Sequence, residues 1–169
     1  MKISDLKFLK VRIEKHPSTD IQLEYLEHHN AVAVLILNAK GDKSLLVEQY
    51  RPGNRGNVFE IPAGLIDEGE NPLEAMYREV EEETGYVKEN FIELYKSEGP
   101  LLISPGYTSE KLNFYILQLK DDNIQPKAPK FDIGEDLVSH WIDIDKIKTI
   151  SNDLKTHYSL NLYYLLNKN

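Results

Sequence analysis

The sequence contains no cysteine, a single tryptophan and two methionines. Without cysteine there is no disulfide framework, no thiolate metal site and no cysteine nucleophile, which fits a cytoplasmic protein. Long apolar runs are also missing. The longest, AVAVLIL at residues 31–37, falls far short of the roughly 20 residues that span a bilayer, so no membrane partner is expected. The first ten residues, MKISDLKFLK, scatter charge and offer no apolar stretch or small-residue cleavage site, and they are not expected to act as a secretory signal. Basic residues are outnumbered, 20 Lys and Arg against 28 Asp and Glu. Nucleic-acid binding, which needs a basic patch or stripe, is disfavoured.

What is present is enough chain for one domain over residues 1–169, burying roughly 70% of the surface its unfolded form would expose. Its negative charge is concentrated. Asp67, Glu68, Glu70, Glu74, Glu79, Glu81, Glu82 and Glu83 stand against one cation, Arg78, so this segment carries −7 of the formal −8. Such a distribution favours a localised site for cations.

Strand patterns occur at residues 6–13 and 21–27, around a turn-like HPSTD, and suggest an N-terminal hairpin within residues 1–29. Residues 31–37 and 44–50 read as a central buried strand pair, with further strands at 58–61, 91–97, 111–118 and 137–142. Helical patterns lie at about 72–84, 143–150 and 157–167. Strands and helices mix without regular alternation, so the class is α+β with a mixed or antiparallel sheet.

The helix over 72–84 has legible ends. Asn71 can cap it, Pro72 suits the first position, Glu74 completes a capping box and Gly85 supplies a left-handed stop. At about 100° per residue, Leu73, Met76, Tyr77, Val80 and Thr84 face the sheet, while Glu79, Glu82 and Glu83 share a neighbouring arc. Glu79 and Glu83 form a like-charge i, i+4 pair that costs about 0.2–0.5 kcal/mol and that a divalent cation would reverse. From spacing alone two readings stay open, a solvated acidic face and a cation site. Oxygen ligands suit Mg²⁺, Mn²⁺ or Ca²⁺ and not zinc.

Residues 64–86, GLIDEGENPLEAMYREVEEETGY, resemble the Nudix box, G-x5-E-x7-R-E-U-x-E-E-x-G-U. Gly64, Glu70, Arg78, Glu79, Val80, Glu82, Glu83 and Gly85 match, and Tyr86 stands where an aliphatic residue is usual. The resemblance implies the Nudix fold, an α/β/α sandwich around a mixed sheet with the N-terminal hairpin as an extension, and metal-dependent hydrolysis of a nucleoside diphosphate linked to another group. It makes Glu79 and Glu83 the principal ligands of Mg²⁺, with Mn²⁺ able to substitute. Glu82 becomes a further ligand or a holder of metal-bound water, and the Ala63 carbonyl a non-carboxylate ligand. Arg78 joins the catalytic set by fixing loop and helix through an ion pair with Glu70. Nudix domains that serve as ligand sensors commonly lose box glutamates, and this chain keeps all of them, so an enzyme is expected.

The segments EQYRPG at 48–53, EIPAG at 60–64 and SPGYTSE at 104–110 resemble the ADP-ribose pyrophosphatase branch, with GDP-mannose or other nucleoside diphosphate sugar hydrolases as the alternative. Pro105 lies nineteen residues beyond Tyr86, and the extra residues are expected to lengthen the loop around 97–102. Under this resemblance Arg51, Glu60, Tyr25 and Tyr107 form the substrate-binding set, and the N-terminal hairpin contributes to a homodimer. Arg51 has a second reading as an ion pair with Glu48 or Glu60, and both tyrosines have one as packing residues. Metal-bound carboxylates are poor proton acceptors, so the general base is sought elsewhere, on FDIGEDLVSHW. Glu135 is the candidate there, with Asp132 and Asp136 as neighbours and Glu82 as the competitor on the helix. The five histidines are read as structural or surface residues. His28 and His29, if on a strand, point to opposite faces. Trp141 is read as core. Ser104 and Ser109 lack the G-x-S-x-G context of a nucleophile.

Overall fold

The computed structural model of the protein describes residues 9–131 and 136–168. Strand β3 (Ala31–Leu37) is buried along its whole length, as a run of branched apolar residues with no polar alternation requires when both faces of a sheet are covered. The strand runs parallel to β9 (Lys111–Leu119), with Ala31 opposite Leu112 and Leu37 opposite Gln118. The main sheet has the order β10-β4-β3-β9-β7, where β4 is Lys43–Arg51, β7 is Phe91–Lys96 and β10 is Leu137–Asp143. Short strands β5 (Gly56–Glu60), β6 (Ala63–Leu65) and β8 (Leu101–Leu102) pair with β4, β3 and β9.

The alternation of β3 separates two layers. Ala33, Leu35 and Leu37 pack with Ile116, Ile147 and Leu160, under α2 (Ile144–Ile150) and α3 (Leu154–Leu166). Val32, Val34 and Ile36 pack with Ala75, Met76 and Val80 of α1 (Pro72–Thr84). Helices therefore cover both faces of a mixed sheet, the α/β/α arrangement of an α+β chain. Each fully buried Leu or Ile contributes roughly 1.5–3 kcal/mol by leaving water. Tyr86, the atypical residue of the box motif, is 5% exposed and meets Phe91 and Trp141 edge-on, at centroid distances of 6.0 and 6.3 Å. Both Tyr86 and Trp141 are packing residues.

Strands β1 (Lys10–Lys15) and β2 (Gln22–Glu27) form a separate antiparallel sheet. Leu26 ties it to the body, donating from its amide to the Tyr107 carbonyl at 2.8 Å and accepting from the Ser109 amide at 2.9 Å. Among the described residues no helix is long and apolar enough to cross a membrane.

Several expectations shift. The presumed central pair β3–β4 meets only at Ile36–Leu45 and Leu37–Ser44; β4 then departs to β5 and β10, and β6 takes its place on β3. An apolar run specifies burial and leaves the partner open. The Asn71 side chain accepts from the Leu73 amide at 2.9 Å, one residue before the position a capping box uses, so Glu74 does not complete that box. Helix α3 begins three residues before the expected 157, because the Asp153 carboxylate caps the Thr156 amide at 2.9 Å. The stretch around 97–102, expected as a plain loop, contains β8. His28 and His29 follow the end of β2, so strand alternation does not govern them.

Candidate active site

Helix α1 brings its carboxylates to one wall of a cavity of about 1200 Å³, where Glu79, Glu82 and Glu83 all contribute to the lining together with Arg78, Ala63 and Gly64. The wall is organised by Arg78. Its Nε and Nη2 donate to the two oxygens of Glu70 at 2.9 and 2.8 Å, a forked pair that anchors the loop before the helix. Nη2 also donates to the Leu65 carbonyl at 2.9 Å, and Nη1 reaches Glu79 at 2.7 Å and Glu82 at 3.1 Å. These contacts hold the guanidinium far above its ordinary range, with the bond to Glu70 as the main cause, and Arg78 in turn holds the Glu70 carboxyl below its usual value. Arg78 thus acts as the brace of the acidic wall.

Glycines allow the close approach. A Cβ on Gly64 would fall 1.9 Å from Cδ of Glu79, so the carboxylate occupies space that any side chain at 64 would fill. Gly85 ends α1 at φ +76° and lies against the backbone of Lys127, whose carbonyl oxygen would be 1.9 Å from a Cβ. The Lys127 amide donates to the Gly85 carbonyl at 2.9 Å and the Lys130 amide to the Glu82 carbonyl at 2.8 Å, so residues 127–130 strap the end of the helix.

The same cavity is also lined by an ion network of Arg51, Lys155, Glu60 and Asp153, of which only Arg51 and Glu60 are selected from sequence. On the β4–β5 hairpin, Val47 pairs with Glu60 and Arg51 lies four residues further along the same face. Arg51 donates from Nε to Glu60 Oε1 at 2.5 Å, and Lys155 donates to Glu60 Oε2 at 2.9 Å and to Asp153 at 2.8 Å. Glu60 is 2% exposed. Burial alone would push the Lys155 ammonium down, but Asp153 and Glu60 outweigh it and keep it above the ordinary lysine range. Arg51 follows the same logic, held up by Glu60 and also by Glu83 and Asp153.

Of the residues selected from sequence, Arg51, Glu60, Ala63, Arg78, Glu79, Glu82 and Glu83 line this cavity. Tyr25 and Tyr107 do not. The Tyr25 hydroxyl donates to Glu14 on the outlying hairpin at 2.8 Å, and Tyr107 is 57% exposed. Glu135 and Asp132 lie outside the described residues. The cavity adds residues that were not selected: Asp153 and Lys155, the Phe114–Tyr158 ring pair at 4.6 Å, and His28 facing Glu110 at 3.9 Å. Ser-Asn-Asp before α3 is a cap signal that locates Asp153; nothing local marks Lys155.

Among the described residues no three His, Asp or Glu side chains are already gathered in metal-cage spacing. The donor set still fits a hard divalent cation, because its side chains are carboxylates alone, they line one cavity, and Gly64 leaves room for Glu79.

A family model described as NUDIX domain matches residues 27–161. The chain is 38% identical over 93 residues to a methanol dehydrogenase activator of Bacillus methanolicus, covering 55% of this chain and 48% of that protein, so it spans about half that relative's length. It is 28% identical over 149 residues to an ADP-ribose pyrophosphatase of Bacillus subtilis (strain 168), covering 84% and 76%. An RNA pyrophosphohydrolase of Pelagibacter ubique (strain HTCC1062) is 30% identical over 141 residues, covering 76% and 84%. The family match takes in the acidic wall, its arginine brace and both glycines that let the helix close on its neighbours, and the chain belongs to the NUDIX domain family.

Proposed function

We propose that the protein is a Nudix pyrophosphohydrolase that cleaves ADP-ribose to AMP and ribose 5-phosphate. The observation that carries this reading is a cavity whose lining brings Glu79, Glu82 and Glu83 together with the basic side chains Arg51 and Lys155. A diphosphate is an anion that needs both a cation to bridge it to carboxylates and direct donors of its own. Similarity to an ADP-ribose pyrophosphatase over most of both chains supports the substrate class.

Nudix hydrolases generally use divalent metals, and we take the metal here to be Mg²⁺, with Mn²⁺ able to replace it. Bound, it would neutralise the meeting of carboxylate and pyrophosphate and polarise the P–O bonds. The chain's own part is to hold Glu79, Glu83 and Glu82 as side-chain ligands, with the Ala63 carbonyl beside them, and to brace them through Arg78. Glu135 is our choice for the proton acceptor, on the sequence argument alone, with Glu82 as its competitor. Arg51 and Glu60 belong to substrate binding.

The same reading treats the chain as one domain and keeps it in the cytoplasm, where nucleoside diphosphate sugars are found. It is further read as a homodimer that would bring Tyr25 of a second copy toward the pocket, with Tyr107 as a further substrate-binding candidate. Exposed Val11, Ile13, Ile21 and Leu23 on and beside the outlying hairpin support that surface.

The test is a hydrolysis panel with Mg²⁺: ADP-ribose, GDP-mannose, ADP-glucose, NADH, diadenosine polyphosphates and 5′-triphosphorylated RNA. Highest kcat/KM on ADP-ribose is expected. Preference for GDP-mannose would move the chain to the neighbouring sugar hydrolases, and preference for RNA would replace the substrate class.

A further inference from the structure

Lys155 has a position that its sequence context does not announce. It sits in the first turn of α3, whose start is pinned: Thr156 Oγ1 accepts from the Ile61 amide at 2.9 Å and donates to Asp153 at 2.8 Å, while Ser151 Oγ donates to the Phe59 carbonyl at 2.6 Å. The start of the helix is therefore tied to β5 and to the residue that follows it. Its lysine side chain is 21% exposed and lines the cavity.

Glu60 brings two cations together. One oxygen takes Arg51 and the other takes Lys155, so a single carboxylate holds the two basic side chains beside each other at the cavity. Glu60 itself is 2% exposed. The bond through Nε uses one edge of the Arg51 guanidinium and does not require the terminal nitrogens that fork onto phosphates. Lys155 spends two of its three N–H donors on Glu60 and Asp153. Each cation thus has donor capacity beyond the network that fixes it.

We infer that Lys155 is a substrate-binding residue, paired with Arg51 through Glu60 to form a subsite for the phosphate group of the substrate farther from the carboxylate wall. This rests on the reading of the cavity as a nucleoside diphosphate site, and it adds α3 to the elements that select substrate. A lysine that only joined α3 to β5 would contribute to folding and leave substrate affinity alone.

Two measurements separate these roles. In the unaltered chain with Mg²⁺, reductive methylation followed by peptide mass spectrometry reports access to Lys155, and inorganic pyrophosphate is the probe. Pyrophosphate should slow methylation of Lys155 severalfold while Lys146, paired with Asp143 on the surface, is unaffected. In parallel, Lys155→Gln should raise KM for ADP-ribose by about tenfold or more with a smaller change in kcat, and Lys155→Arg should restore much of it. Wild-type hydrolysis of ADP-ribose with no protection of Lys155 overturns the subsite and leaves the function standing. Protection without ADP-ribose hydrolysis overturns the function and leaves the subsite. If Lys155→Gln does not fold, the methylation result decides.

Discussion

The Glu79 carboxylate rests on Gly64, so closely that a Cβ there would lie 2.1 and 2.2 Å from its two oxygens. The conflict falls on the end of a flexible side chain, which can rotate away, and not on backbone. Gly64→Ala should therefore fold, with stability within about 1 kcal/mol of wild type, while displacing one proposed metal ligand. A loss in kcat/KM on the order of 10²-fold is expected. Gly85→Ala is the contrast, because its Cβ would meet the Lys127 backbone from a left-handed φ; thermal denaturation should show it as the less stable of the two. Wild-type activity in Gly64→Ala would remove Glu79 from the metal set.

Glu83 and Glu135 should fail differently. Glu83→Gln keeps shape and loses charge, so Mg²⁺ affinity should fall more than about tenfold and activity with it. Glu135→Gln should lower kcat by about 10²–10⁴-fold with Mg²⁺ and ADP-ribose affinity intact. Metal titration of both variants checks this. If Glu135→Gln stays within about tenfold of wild type while Glu82→Gln loses that activity without losing metal, the base belongs to α1.

Arg51→Ala leaves Lys155 on Glu60, so the chain should still fold. Because the proposed contact exists in the ground state and the transition state alike, KM for ADP-ribose should rise more than kcat falls. An unchanged KM would return Arg51 to a structural pair with Glu60.

Acid stability should depend on Asp153. Burial would raise its pKa, but Lys155 and Thr156 outweigh that and hold it below the ordinary 3.8. A depressed carboxylate contributes stability that is complete above the unfolded pKa and disappears as pH falls through the folded one. Asp153→Asn keeps a capping oxygen and removes the charge. The stability gap between wild type and Asp153→Asn, from urea denaturation, should be widest near about pH 7 and narrow as pH falls below about 4. A gap independent of pH would mean that the charge contributes nothing.

Legibility followed the range of the interactions. Helix α1 appears over the expected 72–84 because Asn71, Pro72 and Gly85 mark both ends and its apolar positions recur with a helical period. Glu79, Glu82 and Glu83 share an arc by the same arithmetic, and they reach one cavity. Pairings between distant segments were not readable. That β6 rather than β4 would pair with the start of β3, or that a lysine at 155 would reach a glutamate at 60, depends on how the sheet is assembled, and no local pattern encodes it. Tyr25 shows the converse: a strand tyrosine near the expected position hydrogen-bonds Glu14, its neighbour on the hairpin.

Strand β3 is the common reference of both layers that line the cavity. Val32, Val34 and Ile36 support α1 and its carboxylates, while Ala33, Leu35 and Leu37 support the layer to which α3 and Lys155 belong. Neighbouring positions on one strand thus support the two layers that contribute to the same cavity lining, and damage can be addressed to either. Trimming Val34 would loosen the seat of the proposed metal ligands; trimming Leu35 would loosen the seat of the proposed phosphate donors. The strand works as a two-channel mount, in which sequence parity decides which half of the chemistry loses its alignment.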